Sequence, residues 1–374
     1  MRRATTSVGK SSFIQREVGD MPRSNNCDRC ECVLSDDNGR NRFYGEYLCD
    51  SCLEYAEHER DEEEMYEDEE DAPETENGRY QGVIAYSSKP YPEFHHRNDD
   101  GTESVTRRPL TFEHQKKQVN LPYLSCELEA EAPHFADLDE EATRLGRKTN
   151  HLVYCKQDCS INYGFEIVSQ PMTLDYIQNN TTSFKECIEV LRSDGWRAWD
   201  ASNCGFHIHL EKKSFVDEKH QMKFIYFVFN NKQKMVKFTG RNSSYASYDL
   251  SYFLNVNGDE WQREKPTILK VIKNRNAGHD PHYNRNLAVN IMPERTCELR
   301  VFKPSMRFST LLAYFEFVHC LWAFTKDIST FDVVNKKALK SFDMFKTFAM
   351  DNRAQYSEFV NRANGRRIFE KEVA

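Results

Sequence analysis

Four short segments between residues 124 and 302 alternate polar and apolar side chains, a period of two that predicts strands with one apolar and one polar face. In Leu124–Glu131, the carboxylates of Glu127, Glu129 and Glu131 share a side, with Leu128 and Ala130 opposite. In Gly164–Ser169, Phe165 and Ile167 face one way and Glu166 the other. In Cys204–Leu210, Phe206, Ile208 and Leu210 oppose His207 and His209. In Thr296–Phe302, Glu298 and Arg300 point together, away from Leu299 and Val301.

Any one such strand is ordinary, because an antiparallel sheet turns its polar side to water. The set is not, since surface strands usually mix Lys, Thr, Ser and Gln with their acids. Side by side in one sheet, these strands would gather up to five carboxylates, two imidazoles and one guanidinium. Carboxylates held together raise one another's pKa, so that density is costly without bound cations. Several oxygen ligands with one or two imidazoles suit Mg2+ or Mn2+ better than zinc. Arg300, permanently charged and forked, suits a phosphate beside such ions.

The same segments resemble a known family. Glu127-Leu-Glu129, then Asp158-x-Ser160 leading to Gly164-Phe-Glu-Ile-Val-Ser169, then Cys204-Gly-Phe-His-Ile-His209, then Cys297-Glu-Leu-Arg-Val-Phe302 follow the order of motifs in the amidoligases. That family is common in phage and bacterial genomes and is allied in fold to glutamine synthetase and glutamate–cysteine ligase. The resemblance covers about residues 121–305. It implies an α+β fold, with a mainly antiparallel curved sheet, a polar metal-binding face and helices packed on the other face. It also implies an ATP- and Mg2+- (or Mn2+-) dependent enzyme that joins a carboxylate to an amine through an acyl phosphate. The substrates are unidentified; a peptide or other macromolecule is one candidate.

Residue by residue, the resemblance implies that Glu127 and Glu129 hold separate divalent ions and that Glu166 completes one of those sites. His207 would bind the ion nearer the nucleotide, and His209 would contact ATP phosphate. Glu298 would be the late metal-binding glutamate, and Arg300 would stabilise the transferred phosphoryl group. Arg241, in Phe-Thr-Gly-Arg241, and Arg285-Asn286 resemble basic positions on the substrate or phosphate side. The nucleotide loops of glutamine synthetase are not recognisable. Two rivals remain: a two-metal phosphohydrolase or nuclease, and a non-catalytic adaptor. The first lacks its usual His-Asp pairs in loops, and the intact polar set argues against the second.

Ahead of this domain, Cys27-x-x-Cys30 and Cys49-x-x-Cys52 carry the spacing of a four-cysteine zinc module over residues 25–56. Four thiolates leave no open position on the ion, so that zinc would be structural, and the module is expected to dock to protein or nucleic acid. Residues 57–71 hold eleven acids and one arginine, so the net charge of −8 belongs to this run and the rest is nearly neutral. Residues 1–24 read as a disordered tail, 57–120 as acidic run and linker with a short strand near Gly82–Tyr86, and 121–374 as the catalytic domain. Gly9-Lys10-Ser11 mimics the end of a phosphate loop, but no strand precedes it.

Helices are expected from a capping box at Ser183 and Glu186 to a stop at Gly195, from about Ser214 to Phe238, and from about Ser309 to Thr325. No stretch approaches the roughly 20 apolar residues of a membrane helix, and the N-terminus has no apolar core of a signal peptide. A reducing cytoplasm, of a bacterium or a phage-infected cell, is therefore expected, with thiols and no disulfides.

Overall fold

The computed structural model describes residues 33–34, 41–43, 46–48, most of 81–107, 122–199, 204–249, most of 268–273, 285–330 and 338–369. The chain divides into two compact units, Met1–Asp71 and Ala72–Ala374. In the first, β1 (Asn41–Phe43) and β2 (Glu46–Leu48) form an antiparallel hairpin between the two cysteine pairs. Cys27, Cys30, Cys49 and Cys52, the acidic run and the phosphate-loop mimic lie outside the described residues.

The second unit is built on a seven-stranded sheet. Its strands are β3 (Val83–Ile84), β6 (Leu124–Glu131), β7 (Val153–Lys156), β8 (Gly164–Ser169), β9 (Phe206–Glu211), β10 (Val289–Asn290) and β11 (Thr296–Phe302). The order is β10-β11-β9-β6-β8-β7-β3, antiparallel throughout except where β3 joins β7. All four alternating segments are therefore strands of one sheet, and β6, β8, β9 and β11 are neighbours at its centre. Gly164 lets β8 start tight against β6, because the Ala130 carbonyl fills the space a β-carbon would take.

The apolar face is the core. Leu124, Cys126, Leu128, Ala130, Phe165, Ile167, Phe206, Ile208, Leu210, Leu299 and Val301 are buried on it. Helices α1 (Leu138–Lys148), α2 (Leu174–Asn180), α3 (Thr182–Ser193), α4 (Glu218–Asn230), α5 (Lys232–Thr239), α6 (Phe308–Asp327), α7 (Ala338–Asp351) and α8 (Ser357–Gly365) complete the unit. The Phe206 ring meets Phe302, Tyr314 and Phe315 at 5.9–6.2 Å, joining β9 to α6. Deleting such a ring costs roughly 3–5 kcal/mol. Helix α6 has the length and composition of a membrane span, yet 72% of its apolar window is buried inside the fold.

Local sequence explains the helix ends. Asp137 caps α1 by accepting from the Glu140 amide, and Asp217 caps α4 by accepting from His220 at 2.7 Å. The Ser183–Glu186 capping box does not form. Helix α2 runs almost directly into α3, and Thr181 both ends one and starts the other without a side-chain cap. Gly195, at φ +91°, follows the end of α3 as expected. The single helix expected from Ser214 to Phe238 breaks in two at Asn231, whose side-chain amide donates to the Phe227 carbonyl at 2.8 Å.

Part of the expected linker is also structured. Strands β4 (Glu93–Arg97) and β5 (Glu103–Arg107) pair as a hairpin. The His95 amide donates to Pro171 and its carbonyl accepts from Thr173, which ties the hairpin to the chain entering α2. The many polar residues there concealed a strand whose inner positions, Phe94 and His95, are buried.

Candidate active site

Sheet register assembles the polar face. Glu127 pairs with His207 across β6 and β9, Glu129 with Glu166 across β6 and β8, and His209 with Glu298 across β9 and β11. Four of the five expected carboxylates gather there. The fifth, Glu131, ends β6, where its backbone bridges to Arg197 and its carboxylate takes a long 3.5 Å contact from Asn162.

Among the described residues, two sets of possible ligand atoms each lie within 4.8 Å of one another: Glu127, His207 and Glu298, and Glu129, Glu166 and His207. His207 stands between them. Its Nδ1 is 3.3 Å from Glu127 and 3.4 Å from Glu298, while its Nε2 is 3.7 Å from Glu129. That Nε2 is buried and has no hydrogen-bond partner. Glu129, Glu166, His207 and Glu298 are all at most 6% exposed.

The electrostatics are those of crowded acids. Burial, then the charges of Glu127, Glu129 and Asp158, push the Glu166 carboxyl well above the usual carboxylate range. Burial also raises Glu129, against the pull of His207 and Arg241. Glu127 is subject to burial too, but His209 and His207 beside it hold its carboxyl well below the usual range. Burial would lower His209; its contact with Glu127 at 3.0 Å reverses the sign and raises it. Buried, mutually repelling oxygen ligands around an unpartnered imidazole nitrogen fit hard divalent cations.

Arg300 lies where the pairing of β11 with β9 becomes irregular. Its Nη1 pairs with Glu298 and its Nε donates to the Tyr245 carbonyl at 3.2 Å, so the fork is held beside the carboxylates. Arg241 follows Gly240, whose φ of +77° caps α5 and turns the chain toward the sheet. Its Nη1 donates to the carbonyls of Arg300 and Phe302, at 3.1 and 3.4 Å. Arg285 is exposed and belongs to neither ligand set.

The sequence reading left several participants without a role. Asn290 donates to Glu298 at 2.8 Å, Thr296 meets His209 at 3.0 Å, and the Gly205 amide donates to Glu129. Neutral neighbours like these carry no pattern of their own; only the sheet register brings them in. Tyr86 follows β3, and its phenol is raised by burial while sensing Arg285, Asp158 and Glu166. Cys126 and Cys204 pack as small apolar side chains beside the site, with burial pushing both thiols up to about 12.

No curated protein matches the chain. A solved structure titled "Crystal structure of novel glutamine synthase homolog" aligns over 70% of each chain, with 11% identity and a TM-score of 0.34. The sequence profile of the family described as "Putative amidoligase enzyme" matches residues 129–322, more than half of the chain. That span carries Glu129, Glu166, His207, His209, Arg241, Glu298 and Arg300, and on this match the chain belongs to the amidoligase family.

Proposed function

We propose that the chain is an ATP- and Mg2+-dependent (or Mn2+-dependent) ligase that joins a carboxylate to an amine through an acyl phosphate. Family membership supports a ligase in general terms. The observation that carries the finer reading is His207, set between two carboxylate sets with one buried nitrogen unpartnered.

In this reading Glu127, His207 and Glu298 hold one ion and Glu129 with Glu166 the other. The ions supply charge neutralisation for the nucleotide phosphates. A carboxylate is a poor electrophile, and taking up a phosphoryl group gives it a leaving group that an amine can displace. Arg300 faces that phosphoryl group and offsets charge that grows during transfer, while Glu298 fixes its fork. His209, steadied by Thr296, contacts phosphate. The Arg241 guanidinium braces the backbone that carries Arg300, so its role is to position. The chain itself orients and stabilises; no serine or cysteine nucleophile is required. Arg285 would serve the substrate side.

The test is phosphate release from ATP in the presence of carboxylate and amine pools, including peptides. Release that requires both partners, with an amide product found by mass spectrometry, is the expected result. Release without an amine would instead favour a phosphohydrolase.

A further inference from the structure

Between the end of α3, the segment 196–199, the start of α6 and the end of α8, and lined by none of the candidate ligand carboxylates, lies a cavity of about 400 Å3, the size of a small-molecule site. Five arginines line it: Arg192 at the end of α3, Arg197 beyond it, Arg307 at the N-cap of α6, Arg362 on α8 and Arg366 at its C-cap. No acidic residue does. Arg192, Arg307, Arg362 and Arg366 form no ion pair among the described residues. Arg362 donates to the Tyr314 hydroxyl at 2.8 Å, yet its Nε is buried without a partner.

Helix α6 adds to this charge. It starts at an arginine, has no side-chain cap and carries no acid in its first turn. That reverses the usual preference for negative charge at a helix N-terminus. Its first-turn residue Thr310 lines the cavity. Like charges gathered around one space repel, and an anion among them relieves that repulsion. A tetrahedral dianion can engage several guanidinium forks and a helix N-terminus together, where a planar carboxylate satisfies one fork. The space exceeds a bare phosphate, and Trp199 forms part of the wall.

We propose that this cavity binds a phosphate dianion on a small carrier, the phosphate among the arginines and the carrier against Trp199. The site is distinct from the carboxylate face and stands whether or not the ligase reading does. Trp199 also lies against Gly240, one residue before Arg241.

The test is calorimetry on the full-length protein in metal-free buffer, with glucose 6-phosphate, inorganic phosphate and citrate as probes. Glucose 6-phosphate should bind once per chain. The exposed pair Arg192→Gln and Arg307→Gln, combined, should weaken it at least about tenfold, whereas Glu298→Gln should leave it unchanged. Equal affinity for inorganic phosphate would keep the site and make free phosphate its source. The proposal is overturned by tighter binding of citrate, by no binding at millimolar concentration, by insensitivity to the double substitution, or by loss in Glu298→Gln.

Discussion

Gly205 has no room for a side chain, because a β-carbon there would lie 2.5 Å from Nη1 of Arg241. The same atom would be 2.7 Å from Nε2 of His207. The glycine of Cys-Gly-Phe-His-Ile-His is thus a gap into which two functional side chains fit. Gly205→Ala should displace one or both. Overpacking of this kind costs about 1–3 kcal/mol, which a domain of this size tolerates. The expected result is a folded protein with at least roughly tenfold lower turnover, read by steady-state phosphate release beside a denaturant titration. Unchanged kinetics would mean that neither side chain's position matters.

The crowding of Glu129 and Glu166 predicts opposite effects on stability and function. Glu129→Gln removes a charge without changing shape and keeps an oxygen to accept from Gly205. In metal-free buffer its melting temperature should equal or exceed that of the wild type, since repulsion with Glu166 is relieved. Its activity should be lost. Glu298→Gln should behave alike toward activity and remove one of two bound Mn2+ ions, countable by electron paramagnetic resonance. Near-normal turnover in both variants would refute the two-ion assignment.

The strands were legible because alternation encodes the face of each residue, and Leu124–Glu131, Gly164–Ser169 and Thr296–Phe302 have the bounds read from sequence. What alternation could not give is register. Pairing of Glu129 with Glu166, rather than with a residue two positions away, is set by long-range packing. Glu131 alternates correctly yet runs past the cluster. The hairpin of β4 and β5 was missed for a related reason: His95 and His96 read as polar, although His95 is buried beside Tyr176.

Two histidines outside the site give the fold a pH dependence. His220 uses both nitrogens, with the Val216 amide at 3.3 Å and the Trp322 carbonyl at 2.9 Å. Burial lowers it to about 4, and burial lowers His319, which meets Tyr356 at 3.0 Å, to about 4 as well. Both stay neutral in the folded chain while the unfolded chain takes up protons. Stability is therefore complete above the unfolded pKa of about 6.5 and falls as pH drops toward about 4, by on the order of 3 kcal/mol per histidine. Urea titrations at neutral and acid pH should show this, and His319→Gln should flatten the profile.

The cysteine module predicts one zinc per chain, held by Cys27, Cys30, Cys49 and Cys52, and a large domain that works without it. Metal analysis of the purified protein reads the first half. Cys49→Ser should lose the zinc yet keep turnover on a small substrate, because these cysteines belong to the first compact unit and the polar face to the second. A folded but inactive variant would show that the two are coupled.

Arg300 separates a ligase from a mere metal binder. Its partner Glu298 and the Tyr245 carbonyl hold the guanidinium in place before any ligand arrives, so little reorganisation is required during transfer. The charge it faces is greatest while the phosphoryl group is between donor and acceptor. Replacing it should lower turnover far more than it weakens ATP binding. Loss of one such contact commonly costs about a hundredfold to a thousandfold in rate, or roughly 3–4 kcal/mol. Arg300→Lys keeps the charge but cannot reach both Glu298 and Tyr245 with a single ammonium, so it should recover only part of the loss. Calorimetric ATP affinity beside phosphate release for Arg300→Ala and Arg300→Lys makes the measurement. Equal losses in binding and turnover would place Arg300 in nucleotide binding and not in phosphoryl transfer.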